Sequence, residues 1–485
     1  MFGLGKKKKA NKLFVMGLDC APPELVFDQY RQDLPTFDKL LSQGAYGNLR
    51  SCTPAITVPA WSVMTSSKDP GVLGIYGFRN RADYSYDRMT IATGSSVKEP
   101  RVWEVLSQAG KKVVTIGVPG TYPPKQVNGS QISCFLTPQT ISTDDQGRQI
   151  TKTFTYPPDL SAKVNAWAGG EYVVDVKQFR TDNKDFLLQQ IYDMTKQHYT
   201  VVREMLKYQP WDFFMAVEMG TDRIHHGFWK FIDPTHTKYE PGNKFENSIR
   251  DYYKYVDSEI ASVLKLLDDE TALMVVSDHG AKKMDGGICI NEWMLRTNWL
   301  SILDDRPARL TPMEKVEIDW SKTRAWGEGG YYARVFMNVK GREPNGIIEP
   351  ADFERVREEL AQAITDIRGP NGEDIGTQVY IPQKIYRKVN GVAPDLIVYF
   401  GDLLWRSVGS IGHPEVWTFE NDTGPDDANH AQEGILMHWD PTRKLNGRKI
   451  SGMEIMDFAP TVLQFFGVPV PPDMQGRVIN FEEKK

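Results

Sequence analysis

The sequence predicts an α/β fold: a mostly parallel central sheet with helices on both faces, plus inserted loops or a small cap. Two observations carry this. Short apolar, β-branched runs alternate with longer helical patterns, which is how a series of βαβ units reads. No self-similarity recurs at a period of about 20–50 residues, which removes solenoids and propellers. Buried strands are expected at 13–17, 113–118, 213–217, 273–276 and 396–399. Helical patterns cover 24–41, 102–109, 186–208, 245–267 and 353–367, the last opening after Pro350-Ala351-Asp352, a normal helix start.

Two stretches break the alternation. Residues 119–184 are rich in Pro, Gly, Thr and Asp, and 293–343 mix charge with Trp, Gly and Tyr around WGEGGYYARVFMNV. Both are expected as insertions over the mouth of the sheet, where binding loops cluster; plain surface loops are the competing reading.

At 485 residues the chain is long enough to bury a large core, and 40% hydrophobic with 25% charged residues is an ordinary globular composition. A net charge of −5 and a pI near 6.0 argue against a nucleic-acid polymer as partner. A substrate phosphate would instead be drawn by local positive charge, such as bound metals. Cys20, Cys52, Cys134 and Cys289 occur singly, reading as buried small residues or free thiols in a reducing compartment. The start, MFGLGKKKKANK, is basic but has no apolar signal core behind it. No run of about 20 apolar residues follows anywhere. A cytoplasmic protein is expected, with residues 1–11 a basic, solvated tail and 12–485 one catalytic domain. Weak contact of Lys6–Lys9 with anionic headgroups is the other reading of that tail.

The chemistry gathers where strands end. Asp19 follows LFVMGL, Asp222 follows FFMAVEMGT and Asp278 follows LMVVS. A carboxylate at such a position faces the crevice outside the sheet. One alone would be a turn or cap residue; three, two of them close to His, are harder to dismiss. Asp278-His279-Gly280 sets a carboxylate beside an imidazole. Asp222 and His226 lie four apart in GTDRIHHGFW, on one face if that segment is a helix. That spacing selects His226 over the adjacent His225. His430 lies in DDANHAQEGILM, a polar loop entering an apolar strand. Oxygen and imidazole donors together suit Zn²⁺ first and Mn²⁺ second, and Ca²⁺ poorly. Thr57, in CTPAITVPAWSVMTS, is bracketed by Pro54 and Pro59 where a helix opens. A hydroxyl there meets the favourable end of the helix dipole, and metal binding lets it ionise near neutral pH.

These stretches, with GLDCAPPEL, GVLGIYGFRN, SDHGAKKMDGG and MDFAPTVLQFFGVPVPPDMQGRVI, resemble the alkaline phosphatase superfamily from about residue 13 to 480. Within it they are most similar to the type I phosphodiesterase/nucleotide pyrophosphatase branch and its bacterial phosphohydrolase and phosphomutase relatives. The resemblance implies two divalent ions. Asp19, Thr57, Asp278 and His279 would hold one, and Asp222, His226 and His430 the other. It implies a covalent phospho-threonine on Thr57, later hydrolysed by water. Asn80 would donate to a non-bridging phosphate oxygen. The implied substrate is small and phosphorylated, a nucleotide or phosphodiester. Threonine at this position, without a CxPxR or SxPxR motif, argues against the sulfatase branch. The alternative is a phosphomutase using the same phospho-enzyme, although GLDCAPPEL lacks the Gly-rich pattern of those enzymes; a non-catalytic phosphate-binding protein is the remaining class. Cys20 stands where the family often has Gly, and is expected to be a small packed residue, with a soft metal donor as the competing reading. Of the other histidines, His198, His236, His413 and His438 are expected at the surface or in packing.

Overall fold

The computed structural model describes residues 9–138, 141–143, 149–151 and 153–482. Most of the basic run expected as a tail lies outside the described residues. The strands that position the site are β1 (Lys12–Leu18), β2 (Ala45–Arg50), β3 (Val113–Ile116), β4 (Gly129–Ile132), β5 (Phe213–Glu218), β6 (Thr271–Val276) and β7 (Glu433–Trp439). The helices beside them are α1 (Thr57–Ser66), α2 (Lys184–Tyr208), α3 (Gly220–Ile232) and α4 (Ser248–Leu264).

In the central sheet the strands run in the order β2-β7-β6-β1-β5-β3-β4, with short strands at both edges. From β6 to β4 all five are parallel, whereas β7 runs antiparallel to β6 and β2. A parallel sheet is covered on both faces, and β1 shows it residue by residue. Phe14, Met16 and Leu18 pack in one core with Ile191 of α2 and Tyr252 of α4. Leu13 and Val15 pack in the other with Trp61 and Val63 of α1 and with Trp103. Each such side chain contributes about 1.5–3 kcal/mol on burial, enough together to hold the strand ends still.

The helix expected over 24–41 is interrupted. One π-helical turn spans Glu24–Gln29, a 3₁₀ turn Arg31–Asp33, and a separate α-helix Pro35–Gln43. Pro35 is the cause: it disfavours helical backbone at Leu34, which sits at φ −118°, ψ 74°, and is itself well placed as the first residue of a new helix.

Residues 396–399 form a strand, Leu396–Tyr399, but in a second sheet. That antiparallel sheet has the order Ala325–Glu328, Ala333–Met337, Leu396–Tyr399, Gln378–Tyr380. Leu360 and Ile364 of the helix Phe353–Thr365 close its core against Val335 and Leu396. The stretch 119–184 supplies β4 and the edge strand Thr155–Tyr156 to the central sheet. Among the described residues, no helix is long and apolar enough to cross a membrane.

Candidate active site

Three adjacent parallel strands deliver the acidic residues. Asp19 follows the last residue of β1, Asp278 lies two residues past the end of β6, and Asp222 sits in the first turn of α3, directly after β5. Because β6, β1 and β5 are neighbours, the three carboxylates meet in the crevice outside the strand ends. The chain then turns into Gly280–Lys283, which pairs antiparallel with Ala428–Ala431 and sets His430 opposite Ala281. Thr57 is the first residue of α1.

All seven ligand-type residues singled out above are buried and come together as two groups. In the first, His279 Nε2 has Thr57 Oγ1 at 3.3 Å, Asp278 Oδ2 at 3.2 Å and Asp19 Oδ1 at 3.8 Å. In the second, Asp222 Oδ1 lies 3.3 Å from His226 Nε2 and 3.9 Å from His430 Nε2, and the two nitrogens are 3.2 Å apart. His225 points elsewhere, to Tyr253 Oη at 3.2 Å, so His226, at helical spacing from Asp222, is the one of the two that joins the group.

The surrounding hydrogen bonds orient these atoms inward. His279 Nδ1 lies 3.1 Å from the Gly280 carbonyl and His430 Nδ1 2.9 Å from that of Ala55. Each Nδ1 therefore carries the proton, leaving Nε2 as a lone pair aimed at the cluster. Trp61 Nε1 donates to Asp19 Oδ2 at 2.7 Å, and the Cys20 amide to Asp278 Oδ1 at 3.3 Å. The opposite oxygens, Asp19 Oδ1 and Asp278 Oδ2, are buried without a hydrogen-bond partner. Buried oxygens left bare beside an imidazole lone pair are the donor set a cation satisfies, which fits a metal at the first group. At the second, Asp222, His226 and His430 offer a carboxylate oxygen and two imidazole nitrogens within 4.8 Å of one another.

The charges tell the same story. Burial and the Asp222 carboxylate push Asp19 well above the usual carboxylate range, and burial and Asp19 do the same to Asp278. Burial works against Asp222 too, yet His226 and Arg223 outweigh it and hold that carboxyl well below its usual range. Burial presses His279 down to about 4 and His430 well below its ordinary value. His226 goes the other way: burial is overcome by Asp426 and Asp222, which lift it to about 10. A proton on His226 thus supplies positive charge that a divalent ion would replace.

Asn80 is not among the residues lining the cavity beside Thr57. Its Oδ1 accepts from the Tyr76 amide at 2.8 Å and its Nδ2 donates to the Gly77 carbonyl at 3.0 Å. Both ends of the amide close a local turn, and the cavity around Thr57 is lined by other residues. That cavity, about 230 Å³, is walled by Phe78, Phe135, Phe179 and Tyr331, with Arg180 and Arg223 at its polar side. It shares Phe78, Arg180 and Tyr331 with a larger one of about 620 Å³. Arg79 and Arg334 line the larger cavity; Arg223 is tied to Asp222 at 2.6 Å and Asp175 at 2.8 Å. Trp61 backs Asp19 rather than facing substrate, and Trp326 packs in the core of the second sheet.

Two contributors had no clear sequence signal. Asp426 Oδ1 lies 2.8 Å from His226 Nδ1, and Arg180 donates to Asp426 Oδ2 at 3.2 Å. Tyr331, within WGEGGYYARVFMNV, lies against the rings of His226 and His430 at centroid distances of 4.8 and 4.5 Å. His198, His236, His413 and His438 are all buried in packing, none at the surface.

The fold, a mostly parallel sheet with helices on both faces, is alkaline-phosphatase-like. The chain belongs to the type I phosphodiesterase/nucleotide pyrophosphatase family, whose profile matches residues 13–426, and is a phosphoric ester hydrolase. Human ectonucleotide pyrophosphatase/phosphodiesterase 5 is a structural neighbour at 13% identity and TM-score 0.52, covering 96% of this chain and 97% of its own. The murine protein of the same name, solved as an inactive threonine-to-alanine variant in complex with AMP, matches at 12% identity and TM-score 0.55, covering 95% and 96%. Comparison with curated protein sequences finds no significant match.

Proposed function

We propose that this chain cleaves phosphate esters of nucleotide-like substrates, with Thr57 as the attacking group between two divalent ions. Asp19, Thr57, Asp278 and His279 would hold one ion and Asp222, His226 and His430 the other, with Zn²⁺ the first choice for donors of this kind and Mn²⁺ the second. The observation that carries the reading is the convergence of Thr57 Oγ1 and two unpartnered carboxylate oxygens on the His279 Nε2 lone pair, each within 3.8 Å of it.

The ions would supply Lewis acidity, easing ionisation of the Thr57 hydroxyl and neutralising charge on the transferring phosphoryl group. Thr57 does the rest from its place at the start of the ten-residue α1. Amides of that first turn and the helix dipole favour the phosphoryl oxygens. As the Oγ1–phosphorus bond forms, the bond to the leaving oxygen breaks, and the leaving group departs with a proton from solvent. Water then cleaves the phospho-threonine and returns the hydroxyl. Arg180 and Arg223 border the cavity beside Thr57, where a guanidinium suits a phosphate oxygen. Aromatic walls suit a base or ring on the ester, in keeping with the AMP held by the murine relative. On this reading residues 12–485 form one catalytic domain.

Mass spectrometry of the loaded protein should count two divalent ions per chain. Rates on p-nitrophenyl phosphate and its bis-ester then test the chemistry, the bis-ester being the expected better substrate. Thr57→Ala should lose roughly 10³-fold or more in turnover. Undiminished turnover in that variant, or fewer than two ions in the native chain, overturns the proposal.

A further inference from the structure

Cys20 directly follows Asp19 and turns the chain with φ at +65°, a conformation that suits Gly and costs a residue bearing a Cβ. What stands at this turn is instead a fully buried thiol. Its Sγ lies 3.3 Å from the Gly280 carbonyl. It also lies within 4.8 Å of a ligand atom on each of Asp222, His226 and His430. Four donors of metal-binding type therefore surround one point, all of them buried.

We infer that Cys20 is the fourth protein ligand of the ion held by Asp222, His226 and His430, an inference that rests on the two-ion reading above. Charge balance supports it. Asp19 and Asp278 bring two negative charges to the first ion, whereas Asp222 alone brings one to the second. A Cys20 thiolate evens the two sites, so that each divalent ion meets two anionic side chains while Thr57 is a neutral hydroxyl. The step is an exchange: the S–H proton leaves to solvent as the sulfur–metal bond forms, with no change of oxidation state. A thiolate is a soft donor, so the second site becomes selective for Zn²⁺ over Mn²⁺, while the all-oxygen-and-imidazole first site does not. Zinc in catalytic sites can expand to five ligands, so a fourth protein ligand would still leave a position for substrate.

Cobalt substitution of the full-length protein reads the sulfur directly. Native protein carrying two Co²⁺ per chain should show a near-ultraviolet sulfur-to-cobalt charge-transfer band. Cys20→Ser and Cys20→Gly should each lose it. Gly is native to this backbone conformation, so the second variant removes the sulfur without straining the fold. Cys52→Ser, whose Sγ lies on the Pro54 carbonyl at 3.2 Å, should keep the band. Both Cys20 variants should bind one of their two zinc ions at least about tenfold more weakly, since even partners outside the coordination sphere are worth that much, and their Mn²⁺ affinity should change less. Two bound cobalt ions with no charge-transfer band, or a band that survives in Cys20→Ser, overturns the inference while leaving the two-ion reading intact. A native chain that takes up fewer than two ions fails that reading, and the Cys20 assignment with it.

Discussion

Asp426 accepts from Tyr331 Oη at 2.8 Å on one oxygen and faces His226 Nδ1 at 2.8 Å with the other. Both oxygens are needed as acceptors, because Arg180 also donates into Oδ2. An amide has only one acceptor oxygen, so Asp426→Asn must set an N–H₂ against either the His226 N–H or the Tyr331 and Arg180 donors. Either way the ring loses its orientation and its basicity. The expected result is a loss of about 10–100-fold in the affinity for one of the two ions, with the other unchanged, measured by competition with a chromophoric chelator. Equal weakening of both ions, or none, would refute this positioning role. The residues that gather in the two groups were legible in the sequence because each stands beside a strand end, at a helix start or at helical spacing from a partner. Asp426 was not, because in GPDDANH it looks like any turn carboxylate, and only folding brings it 200 residues back to His226. Asn80 was singled out by its motif alone, and in the fold its Oδ1 and one Nδ2 hydrogen tie the turn at Tyr76 and Gly77.

β1 and α1 are coupled through a single missing side chain. A Cβ on Gly17 would sit 2.5 Å from Trp61 Cη2 and 2.8 Å from Val217 Cγ2, closer than packed atoms approach. Gly17 therefore lets the Trp61 ring lie flat on the strand, and from there its Nε1 reaches Asp19 Oδ2. Gly17→Val should displace that ring, destabilise the fold by about 1–3 kcal/mol through overpacking and release Asp19 from its hydrogen bond. Urea unfolding and metal content measured together check this; native stability with full metal loading would break the proposed link between the strand and the site. Elements of this kind were readable where one local signal sufficed. The helix expected over 186–208 is Lys184–Tyr208, and that over 353–367 is Phe353–Thr365. Sheet membership was not readable, because the apolar run Leu396–Tyr399 carries the same pattern whichever strands it joins, and pairing with Ala333–Met337 is settled only by the tertiary fold.

At the scale of the whole molecule, the net charge of −5 turned the reading from a nucleic-acid polymer towards local positive charge at the strand ends. The cavities, by contrast, are built from Phe78, Arg180 and Tyr331, segments too far apart in the chain for any spacing rule to join. The histidines left over from the site then shape how the entire fold responds to pH. His198 is buried on α2, with Tyr172 Oη 3.0 Å from its Nδ1 and no partner on Nε2. Burial alone presses it from 6.5 to about 4. The unfolded chain takes up this proton once pH falls below 6.5, whereas the folded chain resists until about 4. The contribution to stability is therefore complete above 6.5, drains away as pH drops through the window from 6.5 to 4, and changes no further below it. Between pH 7 and 5 the loss should be about 2 kcal/mol for this one residue. His198→Gln cannot take up the proton, so its free energy of unfolding should fall less steeply over that range by the same amount. Other groups that titrate, the metal ligands included, are common to both proteins and cancel in the difference. Parallel stability curves for native and variant from pH 7 to 5 would mean that His198 takes up its proton as readily in the folded chain as in the unfolded one, and would refute the effect of its burial.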